Sequence, residues 1–115
     1  MSARDPLALL AAVSGALAVI AGAYGAHGAH GPAVEWLKTG SHYELVHAVA
    51  ALVAIGRPLG RCAGWCFVGG SALFAGTLYA IAVGGPHWLG AITPLGGVAM
   101  IVGWGMLAAG AWRRA

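Results

Sequence analysis

Glu44-x-x-His47 is the pair best equipped for chemistry in this 115-residue chain. The spacing puts a carboxylate and an imidazole on one helix face, one turn apart. Tyr43 stands four residues before His47 and can share that side, and His27 and His30 lie upstream in GAYGAHGAHG. Three chemistries fit these residue types. In a polar lock, Glu44, His47, Tyr43 and His27 satisfy one another and hold helix register. In a binding site or pathway, the same groups carry a proton, an ion or a small molecule, as buried ionisable groups in membranes often do. In a metal or haem site, His27, His30, Glu44 and His47 are the candidate ligands. That third reading is the weakest. A di-iron bundle needs two ExxH helices and two further carboxylates, and one ExxH is present. No cofactor is expected. His42 and His87 read as surface histidines.

These groups stand out because so little else is polar. The chain is 60% hydrophobic and 8% charged, with a mean hydropathy of +0.82. A water-soluble domain carries about 25% charged residues. The elements that position Glu44 and His47 are therefore membrane helices: an all-α, integral membrane four-helix bundle in one domain covering 1–115. Four spans are expected, over about 6–26, 37–57, 62–84 and 94–112, each near the ~20 residues that cross a bilayer. The first is longer than the apolar region of a signal peptide and further spans follow it. The second is apolar without interruption only from Leu45 to Ile55, so Tyr43, Glu44 and His47 fall at membrane depth. Thr93-Pro94 reads as a helix cap and first-turn proline.

The net charge of +3 does not point to nucleic acid, because of where the charges fall. With four spans, Arg4, Arg57, Arg61, Arg113 and Arg114 share one side and only Lys38 lies on the other. The positive-inside rule then puts both termini in the cytoplasm of a bacterium, and the protein in its inner membrane. Trp36 and Trp88 fall at the outer interface, Trp65 and Trp112 at the inner one. Trp104 falls mid-span and reads as packing. The partners expected are membrane lipid, with a homo-oligomer or larger membrane complex left open.

Small residues recur every fourth position, as close helix packing in lipid requires. Gly22 in the first span, Ala72, Gly76, Ala80 and Gly84 in the third, and Gly97 in the fourth are the packing candidates. Cys62 and Cys66 read as small, buried, reduced thiols. There is no GxSxG, Walker A, HExxH or paired-aspartate motif, and the GAYGAHG glycines follow an apolar helix rather than a strand. No enzyme is expected.

GAYGAHG, W-x-x-G-x-x-Y-E-x-x-H-A-x-A-x-L, LFAGTLY and TPLGG followed by GW together resemble the transmembrane protein 256 family. That group comprises small bacterial and mitochondrial membrane proteins catalogued as a domain of unknown function (DUF423-like). The resemblance runs from about Gly15 to Ala109. It implies four membrane helices, with Gly25, His27, Tyr43, His47, Gly76, Tyr79, Thr93, Pro94, Gly96 and Gly97 matching the family's signature. It implies no activity, and Gln would also fit the place of Glu44. The function expected is a small accessory or binding protein with a polar His/Tyr/Glu site in the outer half of the membrane. An oligomeric transport module is the alternative, and a metal- or haem-binding redox protein the third class.

Overall fold

A cap and a proline start the first helix. Asp5 accepts from the backbone N–H groups of Leu7 (3.1 Å) and Ala8 (3.2 Å), and Pro6 occupies the first turn, where its missing N–H leaves nothing unpaired. The computed structural model describes residues 4–114 and contains α1 (Pro6–His27), α2 (Ala33–Ala54), α3 (Gly60–Ala82), a short 3₁₀ turn (His87–Ala91) and α4 (Thr93–Arg114). No strand occurs among the described residues. Each α-helix of 22 or 23 residues is ~33 Å long at ~1.5 Å per residue, enough to cross the hydrocarbon of a bilayer. Three stretches are also apolar enough to do so: α1, α3, and the 3₁₀ turn with α4. α2 has the length but carries Glu35, Lys38 and Glu44.

The distribution of residues is that of a protein solvated by lipid. The interior is built from small groups, including Ala11, Ala51, Ala54, Ala63 and Ala75, with Phe67 the largest fully buried side chain. The large apolar side chains point out: Leu9, Val13, Ile20, Val53, Val98 and Ile101 are all exposed. Lipid tails solvate them as well as an interior would, so helix contact is governed by close approach of small residues.

α1 packs along α2, α2 along α3, and α3 along α4, and no comparable interface joins α1 to α4. The result is an elongated bundle, 48 × 32 × 19 Å. α1 meets α3 closely at one end. There the side chain of Leu7 lies where a Cβ on Gly64 would be, and Arg61 pairs with Asp5 at 3.1 Å. That hydrogen-bonded guanidinium holds the Asp5 carboxyl below its usual pKa. Beyond this end the two helices diverge.

Two sharp turns need their residues. Leu59 has φ 60, a left-handed conformation that costs a side-chain-bearing residue about 1–2 kcal/mol. The Gly60 that follows has no room for a Cβ, which would meet the Ala54 carbonyl. Gly84 has φ +104 and ends α3.

The small-residue faces differ from the sequence reading. Ala72, Gly76 and Gly84 are exposed, Ala80 is half-buried, and a Cβ on Gly76 or Gly84 would meet nothing within 4 Å. Close approach occurs one face over. A Cβ on Gly70 would lie 2.8 Å from the Gly96 carbonyl oxygen, and one on Gly96 would run into Gly70 and Phe74 backbone. Gly103 gives up its side-chain space to the Phe67 ring. The reason is geometric: Gly70 faces α4, whereas Ala72 and Gly76 look into the opening where α1 and α3 part. Gly22 lies against Ser41 of α2, and Gly97 is in ordinary contact with Phe74. The cysteines are free, but Cys62 is exposed and Cys66 half-buried, where burial was expected. The Thr93 hydroxyl does not cap α4. It lies 2.6 Å from the Thr77 hydroxyl and 3.2 Å from the Leu89 carbonyl, tying the start of α4 to α3.

Candidate functional site

α2 carries the polar groups, packed between α1 on one side and α3 on the other. Glu44 and His47 are both nearly fully buried on it, yet they bond to different neighbours. Positions three apart are ~60° apart around a helix, which is enough to aim the two side chains into separate interfaces.

Glu44 is held from two sides. Ser14 of α1 donates its hydroxyl to Oε2 at 2.8 Å, and Tyr79 of α3 donates to Oε1 at 2.8 Å. One carboxyl group thus ties three helices together. Gly40 makes this possible. A Cβ there would sit 2.7 Å from the Tyr79 ring, so the ring packs close against α2 and its hydroxyl reaches Glu44 one turn on. A carboxylate offers about four lone-pair positions. Ser14 and Tyr79 use two.

His47 ties α2 to α4. Its Nδ1 lies 2.7 Å from the Tyr43 carbonyl, and Trp104 Nε1 approaches its Nε2 at 3.0 Å. An indole N–H can only donate, so Nε2 must be the accepting nitrogen. The proton therefore sits on Nδ1 and is donated to the Tyr43 carbonyl, and the ring is neutral. Phe67 and Trp104 enclose it at centroid distances of 5.4 and 5.8 Å. No buried side-chain nitrogen or oxygen among the described residues lacks a hydrogen-bond partner.

The cluster differs from the one read in the sequence. His27 and His30 are exposed at the end of α1. His27 lies 13 residues beyond Ser14, which is ~20 Å along the helix from the level of Glu44. The Tyr43 side chain is 42% exposed, rests on Phe74 at 4.9 Å and lies near-parallel to the His47 ring at 6.2 Å, but only its carbonyl enters the hydrogen bonding. His27, His30, Glu44 and His47 do not converge, and no group of three or more His, Cys, Asp or Glu side chains does so among the described residues. His42 is exposed, and His87 meets the Trp36 ring edge-on at 5.5 Å. Ser14, Tyr79 and Trp104 were missed as members of the network. Their signal was present: each is a hydrogen-bonding side chain inside a long apolar run, and such a group needs a partner. Nothing in the spacing says which partner.

Where α1 and α3 diverge, a cleft of about 410 Å³ opens sideways. Leu17, Ile20 and Tyr24 form one wall, Ala72, Gly76 and Tyr79 the other, and Leu37 and Glu44 of α2 line its base. The walls are apolar, and the base has a carboxyl group with hydrogen-bonding capacity to spare.

The family model described as a protein of unknown function (DUF423) matches residues 21–97. The match takes in Glu44, His47 and Tyr79 but stops short of Ser14 and Trp104. The UPF0382 inner membrane protein YgdD of Escherichia coli strain K12 is 36% identical over 115 aligned residues, covering 91% of this chain and 88% of that protein. The UPF0382 membrane protein YwdK of Bacillus subtilis is 41% identical over 76 residues, which are 60% of this chain and 62% of YwdK, under two-thirds of its length. A UPF0382 membrane protein of Haemophilus influenzae is 34% identical over 86 residues, covering 70% of this chain and 69% of the relative. No solved structure matches the chain.

Proposed function

The chain belongs to the DUF423 family of small helical membrane proteins, and from that premise we propose that it binds an apolar, lipid-phase molecule bearing one hydrogen-bond donor. The membrane is the inner one, as the name of the Escherichia coli relative states for that protein. In this reading α2 crosses it with the other three helices, as its length and its place between α1 and α3 support.

One observation carries the binding proposal: the cleft between α1 and α3 opens to the side and has Glu44 at its base. The opening faces the direction from which a lipid-soluble molecule arrives. Leu17, Ile20 and Ala72 suit a hydrocarbon chain. Ser14 and Tyr79 hold the carboxyl group in place, and its remaining lone pairs suit a hydroxyl or amino group on the ligand. The network does two jobs in this reading. It locks the three helices, and it gives the cleft a polar recognition point where an unmatched ligand loses a hydrogen bond.

The test uses a photoreactive long-chain alcohol and its methyl ether, which cannot donate. In detergent micelles the alcohol should label residues of α1 and α3 about tenfold more than the ether, the preference expected of one hydrogen bond in a buried site. Gly76→Trp should abolish the labelling while leaving the thermal unfolding temperature unchanged, since a side chain there points into open space. Equal labelling by alcohol and ether would reject the reading.

A further inference from the structure

A second hollow lies at the other end of the molecule, between the end of α2 and the last turns of α4. It measures about 440 Å³. Trp104, Leu107 and Ala111 of α4 form one wall, with Val53 and Pro58 opposite and Arg57 also lining it. Positions 104, 107 and 111 share one helix face and span ~10 Å along α4. Trp104 is fixed in that wall because its indole N–H is committed to His47 on the protein side. Gly110 lets α4 close on Pro58, where a Cβ would collide with the proline carbonyl. The hollow is thus built from the α2–α3 turn and α4 held together.

Charge decides what fills it. The chain has three acidic side chains, Asp5, Glu35 and Glu44. Asp5 is taken by Arg61, Glu44 is buried in the core, and Glu35 sits in the first turn of α2, at the opposite end of that helix from Arg57. Among the described residues Arg57 has no carboxylate partner, and Arg113 lines an adjoining hollow against the same Pro58. Arg57 is exposed beside an apolar groove, so its guanidinium can take an anion from outside the protein. A guanidinium matches a phosphate with two parallel hydrogen bonds, and basic pockets between membrane helices take phosphate headgroups.

We propose that this hollow is a binding site for one anionic diacyl phospholipid. Its phosphate pairs with Arg57, and one acyl chain lies along Val53, Leu107 and Trp104. The apolar wall favours a lipid over free phosphate. The excess of arginine at this end favours an anionic headgroup over a zwitterionic one. The site stands apart from the Glu44 cleft and does not depend on it.

Native mass spectrometry in detergent tests this with phosphatidylglycerol, phosphatidylcholine of the same chains, and inorganic phosphate. One phosphatidylglycerol should bind in preference to phosphatidylcholine, and excess inorganic phosphate should not displace it. Arg57→Gln should weaken phosphatidylglycerol about fivefold and erase the preference, the loss expected for one surface charge. Val53→Trp, which fills the groove and leaves both arginines in the chain, should weaken both lipids alike. Equal binding of the two lipids by the native protein would overturn the proposal. So would an Arg57→Gln variant that keeps the preference, or displacement by free phosphate, which would reduce the site to a bare anion contact.

Discussion

At the scale of single residues, burial turns ordinary side chains into obligations. Glu44 is 4% exposed and accepts from two hydroxyls that have travelled from other helices to reach it. Removing one partner of a buried hydrogen bond costs about 1–3 kcal/mol, because the group left behind is desolvated without compensation. Glu44→Leu should therefore lower stability by about 1–3 kcal/mol, measured by unfolding in a mild detergent. Glu44→Gln should lose less than about half of that, since an amide of the same shape still meets both hydroxyls. If Gln and Leu are equally destabilising, the carboxylate charge carries the interaction rather than the hydrogen-bond geometry. His47 follows the same logic. Its two nitrogens are matched to one acceptor and one donor, which is why it can sit neutral in the core.

At the scale of helices, contact is made where backbones come close. The α3–α4 interface turns on Gly70 and Gly96, which leave each other no room for a methyl group. Gly96→Ala should force α3 and α4 apart and cost about 1–3 kcal/mol, the usual range for overpacking. Gly76→Leu should be close to neutral by the same thermal measurement, because its direction is open. The reverse ranking would mean that the 72–84 stripe is a covered interface. The four-residue spacing of Ala72, Gly76, Ala80 and Gly84 is real in the sequence. It identifies one face of a helix, but a spacing rule cannot say whether that face meets a helix, a cleft or lipid.

For the whole molecule, the charges predict an orientation. Arg57, Arg61 and Arg113 gather at the end where α1 begins, and Lys38 lies toward the other. A cysteine in place of the exposed His30, in a background without Cys62 and Cys66, should react with an impermeant thiol reagent added to intact cells. A cysteine at Gly56, where a side chain meets nothing within 4 Å, should not react until the membrane is broken. Labelling in the opposite order would invert the molecule. It would also move the Arg57 hollow to the outer leaflet.

By itself the sequence determined the helices and their solvent. Long apolar runs, punctuated by Gly-Pro and Arg-Pro turns, leave few alternatives to membrane helices. Their observed limits differ from the expected spans by a few residues, most at the start of α2, where Ala33 replaces a boundary near Leu37. The sequence also singled out Glu44 and His47, because an ionisable group inside an apolar helix must be matched. Only the tertiary structure decided the matches. Ser14, Tyr79 and Trp104 come from three other helices, 30, 35 and 57 residues away from their partners. His27, nearer in the chain, ends ~20 Å too far along α1. The physical reason is the rotation of each helix about its own axis. Periodicity orders residues around a helix, but which interface each face enters depends on how all the helices pack, and that is set by the close approach of glycines such as Gly40, Gly70 and Gly96.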